Sequence, residues 1–133
     1  MLIIACMLRR INYILLTTAL ALQSLIFIDA GSEESRFNIV SLAFWGWLAL
    51  PFLTMFLANT FFSKTRASRV TLSVGTVIVA VCGTFLIYDA FYVHLDAQSG
   101  LVFFFVPFYT LVLSGMTSLI ALGLSYVKSS DSV

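Results

Sequence analysis

A chain of 133 residues that is 61% hydrophobic, 15% aromatic and only 10% charged carries more apolar surface than a soluble domain of its length can bury. The bilayer is the solvent that accommodates such a chain. A net charge of +1 supplies no field that would gather nucleic acid, and the two cysteines, Cys6 and Cys82, form neither a CxxC pair nor a metal-ligand spacing.

Met1 to Arg10 is a short apolar start that ends in two arginines. Ile3-Ile4-Ala5-Cys6 has the small residues of a lipoprotein cleavage site, but no charged segment and no full apolar core precede it, so lipidation is rejected. Met7 is an alternative start of translation. Residues 11–28 form the first apolar run, long enough at ~1.5 Å per residue to cross ~30 Å of hydrocarbon. A cleaved signal peptide is the competing reading. The core before Ala19-Leu20-Ala21 is too short for one, and a retained helix is preferred.

Asp29 to Asn38 is a polar loop in which Gly31 and Ser32 break the helix. Residues 39–62 form the second span. Pro51 cannot donate to the carbonyl of Trp47, so a kink is expected there, serving packing in preference to a hinge. Ser63 to Arg69 reads as a basic loop, and residues 70–88 as the third span. Thr76, Ala80 and Thr84 recur every four residues and share one face, where a neighbouring helix can approach closely. Residues 101–126 form the fourth span. Thr110, Ser114 and Ser118 recur at the same spacing, so the third and fourth helices are expected to pack along these two stripes. Pro107 is a second candidate bend. Residues 1–133 thus form a single membrane domain, with no sequence repeat and no soluble module.

Six of the seven basic residues, Arg9, Arg10, Lys64, Arg66, Arg69 and Lys128, fall on one side of this arrangement, and only Arg36 falls on the other. That bias in short loops predicts cytoplasmic termini and a cytoplasmic middle loop. Asp29, Glu33, Glu34, Asp89 and Asp96 then lie outside. The expectation is an all-α, four-helix transmembrane bundle with both termini in the cytoplasm.

The stretch from Tyr88 to Tyr109 holds the least ordinary residues, including the lone histidine. Asp89, Tyr92 and Asp96 fall near one helical face if the third helix continues, and His94 and Gln98 are four apart. A polar cluster of Asp89, Tyr92, His94, Asp96 and Gln98 at an outer mouth would bind a cation, sense external pH through His94 or dock a partner. The simpler reading, which is preferred, has Asp96 or Ser99 capping the fourth helix while Asp89 and His94 reach the headgroups.

The in-span polar residues Thr17, Thr18, Gln23, Thr54, Asn59, Thr76, Thr84, Thr110, Ser114 and Ser118 include no ionisable group, unlike proton-coupled pumps. The chain therefore departs from small multidrug exporters, which carry a glutamate in the first helix. It lacks the paired cysteines of four-helix disulfide-forming enzymes, and one histidine cannot supply two axial haem ligands. No HExxH, GxSxG or phosphate loop is present. No catalytic residue, cofactor or metal is expected.

Asp96-Ala97-Gln98-Ser99-Gly100-Leu101-Val102-Phe103-Phe104-Phe105-Val106-Pro107-Phe108-Tyr109 resembles a pattern in small, uncharacterised four-helix bacterial inner-membrane proteins: an acidic-Gln turn, an aromatic-rich helix start, a proline, then an aromatic. The resemblance implies no activity and transfers no functional residue. In size and layout the chain is also similar to the membrane-bound immunity proteins that protect bacteria from pore-forming toxins, a likeness of architecture only. The leading expectation is a non-catalytic protein acting by helix–helix contact, either of immunity type or as an accessory subunit of a membrane complex. Its partners would be the lipid bilayer and a membrane protein or further copies of itself, with no nucleic acid. The rival is a small oligomeric channel or permease whose outer acids attract cations. An enzyme acting on lipid or quinone comes third.

Overall fold

The computed structural model describes residues 2–30, 38–93 and 99–130, and every regular element among them is helical. The helices are α1 (Leu2–Ala30), α2 (Ile39–Phe61), α3 (Arg66–Tyr88) and α4 (Ser99–Ser130), and a π-helical turn at Asp89–Val93 prolongs α3. Each of the four is long and apolar enough to cross a membrane. The protein is an all-α four-helix bundle.

Local chemistry sets several boundaries. Asn38 accepts a hydrogen bond from the Ser41 amide at 2.9 Å and so caps α2. Thr65 does the same for α3, accepting from the Ser68 amide at 3.1 Å. That cap explains a difference from expectation: the basic stretch read as a loop is helical from Arg66 onward. The first helix likewise begins well before residue 11, because Arg9 and Arg10 ride its exposed surface. Pro51 is buried, and α2 runs through it without interruption.

Contact pairs define the topology. Asn12 meets Ser73 and Gln23 meets Thr84, each 61 residues apart, so α1 and α3 run parallel in one register. Tyr13 pairs with Thr60 near one end, and Trp45 with Ser24 near the other, so α1 and α2 are antiparallel. Gly75 faces Thr117 and Gly83 faces Thr110, which makes α3 and α4 antiparallel. Around the bundle the order is α1, α3, α4, α2, with α3 packed most extensively against α4.

The core has two centres. Met55, Leu72, Val79 and Ala121 are fully shielded in the larger, and Leu48 and Ile87 in the smaller. Leu, Ile, Val and Phe side chains cover the outer surface, Leu119 being 69% exposed and Phe85 63%. Such a surface is stable only against lipid or another apolar helix.

Candidate functional site

The two ends of the bundle differ in charge. Arg9, Lys64, Arg66 and Arg69 lie at one end, Asp29 and Asp89 at the other. They are called the basic and acidic ends below.

Near the basic end a buried polar network crosses three helices. Asn12 Nδ2 donates to Asn59 Oδ1 at 2.7 Å and to Ser73 Oγ at 3.1 Å. Asn59 Nδ2 donates to the Met55 carbonyl at 2.8 Å and to Thr76 Oγ1 at 3.2 Å. Asn12, Asn59 and Thr76 are shielded, at 4%, 1% and 0% exposure, and Ser73 is half-buried. Tyr13 carries the network toward the end of the bundle by bonding Thr60 at 2.9 Å and accepting from Arg9 Nε at 2.9 Å. The α2–α3 turn is tied down as well: the Phe62 carbonyl accepts from both Ser68 and Ser125, the latter at 2.8 Å.

Sequence reasoning singled out Asn59 and Thr76 and missed Asn12, which sits two residues after Arg10 and reads as interfacial. Its signal was that an asparagine inside a helix too long for the bilayer has to find a partner.

The two small-residue stripes are distributed as follows. Thr76 and Ala80 are buried and Thr84 is half-buried, while Thr110, Ser114 and Ser118 are all buried. Thr76 bonds α2 through Asn59, and Thr84 bonds α1 through Gln23 at 3.4 Å. The hydroxyls of α4 donate to carbonyls of their own helix, as Thr110 does to Val106 at 2.8 Å and Ser118 to Ser114 at 2.7 Å. Close α3–α4 approaches lie at glycines one residue earlier. A Cβ on Gly75 would stand 2.3 Å from Thr117 Cγ2, and one on Gly83 would stand 3.4 Å from Thr110 Cγ2.

At the acidic end, Tyr92 donates its hydroxyl to Asp29 of the neighbouring α1. Asp89 is half-buried in the π-helical turn, and the Tyr92 ring stacks on Tyr88 at 5.1 Å. His94, Asp96 and Gln98 lie outside the described residues, so of the expected cluster only Asp89 and Tyr92 can be placed. Asp29 joins Tyr92 because α1 and α3 are parallel neighbours, a relation that no local pattern encodes. The Trp45 indole donates to Ser24 Oγ at 2.9 Å, and the Trp47 indole to the Phe104 carbonyl at 3.2 Å beneath a stacked Phe104 ring; the second closes α2 onto α4 beside Pro107.

Between α1 and α3, toward the acidic end, lies a groove of about 850 Å³. Ala19, Ala80 and Ile26 form its floor, and Leu22, Leu25, Val81 and Phe85 its walls, with Asp29, Tyr88 and Tyr92 at its mouth. The groove exists because small side chains face each other where the helices pass. Among the described residues no three His, Cys, Asp or Glu side chains converge as metal ligands, and Cys6 and Cys82 are free, exposed thiols.

No protein-family model, curated protein or solved structure matches the chain.

Proposed function

We propose that this is a non-catalytic membrane protein that works by helix–helix contact, as an immunity-type protein or an accessory subunit of a membrane complex, set in a bacterial inner membrane with both termini in the cytoplasm. The charge asymmetry between the ends of the bundle supports that orientation. The observation that carries the reading is the contrast between two pairs of glycines. Gly75 and Gly83 of α3 are used by the bundle itself, whereas Gly115 and Gly123 of α4 have nothing within 4 Å of where a Cβ would stand.

A glycine inside a helix costs about 0.5–1 kcal/mol relative to alanine, and in membranes it is characteristically a point where another helix comes close. At 3.6 residues per turn, Gly115 and Gly123 lie about 80° apart around α4. Leu119, 69% exposed, stands between them. The face is flat at two points and apolar at the third, a shape that suits a second helix. The interior points the same way: Leu48, Met55, Leu72, Val79 and Ser114 fill it, and among the described residues every buried polar side chain has a hydrogen-bond partner, in another side chain or a backbone carbonyl.

The test compares wild type with Gly115→Leu/Gly123→Leu in a mild-detergent pull-down from native membranes, followed by native mass measurement. The wild type is expected to carry a stoichiometric membrane-protein partner that the variant loses at an unchanged melting temperature. Retention of the same partner by the variant defeats the contact reading. A partner-free homo-oligomer that conducts ions in liposomes replaces it with the channel.

A further inference from the structure

The groove between α1 and α3 has features that a bare apolar face lacks. Its lining runs along α1 from Leu15 to Asp29. At ~1.5 Å per residue those fourteen steps span about 21 Å. One leaflet of hydrocarbon is about 15 Å deep, so the groove is as long as one acyl chain with its headgroup attached. Its volume, about 850 Å³, lies within the ~300–1,000 Å³ range of sites that hold a small organic ligand.

The polarity of the groove is concentrated at one end. Apart from Thr18 and Thr84, the lining along the length is aliphatic and aromatic, and the acidic-end mouth is formed by the Asp29 carboxylate and the rings of Tyr88 and Tyr92. Among the described residues Asp29 accepts one hydrogen bond, from Tyr92, and a carboxylate has room for about four. A carboxylate beside tyrosine rings is complementary to an ammonium group, through charge-assisted hydrogen bonding and the negative faces of the rings. The same carboxylate repels an anionic headgroup.

We propose that the α1–α3 groove binds one amine-headed phospholipid from the leaflet at the acidic end, with an acyl chain along Leu22, Val81 and Phe85 and its ammonium against Asp29 and Tyr92. The site lies on α1 and α3, away from the outward glycines of α4. It therefore stands or falls independently of the helix-contact reading.

The test places the full chain in nanodiscs of equimolar phosphatidylethanolamine and phosphatidylglycerol with identical acyl chains. Mild detergent is then raised stepwise and the intact protein is weighed with its retained lipid. Wild type is expected to keep one ethanolamine lipid, favoured over the glycerol lipid by about tenfold, the scale of one charge-assisted hydrogen bond. Asp29→Asn, at an exposed position, is expected to keep a lipid but lose the preference. Val81→Trp fills the groove from its rim and is expected to lose the lipid with helix content unchanged. Equal retention of both lipids by wild type, or a preference that survives Asp29→Asn, overturns the proposal. So does a protein dimer that Val81→Trp dissolves, which would make the occupant a second copy.

Discussion

The two ends of the bundle are held together by different means. At the basic end, Asn12, Asn59, Ser73 and Thr76 bind three helices through hydrogen bonds of 2.7–3.2 Å that are buried or half-buried, and the α2–α3 turn is fastened to α4 by Ser125. Toward the acidic end, α1 and α3 share one long contact, Gln23 to Thr84 at 3.4 Å, and a surface bond, Tyr92 to Asp29, with the groove between them. In hydrocarbon no solvent competes for a polar group, so a complete network fixes which helices meet and at what height. Where polar groups are sparse, as along the α1–α3 seam toward the acidic end, shape does more of the holding, and shape can leave a space. The basic end is built for register, the acidic end for access.

The largest break in this comparison should come from Gly75→Ala. The new methyl would lie 2.3 Å from Thr117 Cγ2 and 3.0 Å from its Cβ, and the Thr117 hydroxyl is already committed to the Leu113 carbonyl at 2.8 Å. A β-branched side chain so anchored cannot swing aside, so α3 and α4 must separate. We expect a loss of about 2–3 kcal/mol, read as a lower midpoint in detergent unfolding. An unchanged midpoint would show that the α3–α4 seam is not tightly packed at that level.

The next effect tests the network itself. Asn59→Ala should cost about 1–2 kcal/mol, because Asn12 and Thr76 each lose a buried partner. A double-mutant cycle with Asn12→Ala should give a coupling of about 0.5–1.7 kcal/mol, the range of hydrogen bonds between membrane helices. Additive losses would mean that the two asparagines act separately.

The smallest effect should be Gly83→Ala, toward the acidic end. There the added methyl meets Gln23 Nε2 at 3.1 Å, the tip of a flexible side chain. The gain in helix propensity, about 0.5–1 kcal/mol, offsets the displacement, so stability should change by less than about 1 kcal/mol. A loss as large as that at Gly75 would erase the distinction between the ends.

The sites were less legible in the sequence than the fold. Helical spacing puts Tyr92 near one face with Asp89, and the structure adds a bond from Tyr92 to Asp29, 63 residues away, that spacing does not show. The spacing of Thr76 and Thr84 gives them one face for packing against α4, and their hydroxyls bond Asn59 of α2 and Gln23 of α1. Four-residue spacing shows that side chains share a face but not which neighbour lies opposite. Gly75 and Gly83, one position away, are visible in the sequence as small residues of the third span, but nothing there says that α4 is the helix that closes on them.

What the amino-acid sequence determined by itself is the number of helices and the approximate extent of each. Bilayer thickness demands apolar runs of a set length, and Asn38 and Thr65 cap two of the helices. Only the tertiary structure decided that α3 lies between α1 and α4, that Asn12 reaches Asn59, and that a groove opens beside Asp29. The reason is physical. A span is a property of one segment in its solvent, whereas the order of helices depends on pairwise fits between surfaces far apart in the chain. All of those surfaces are similarly apolar, so their hydrophobicity cannot rank them.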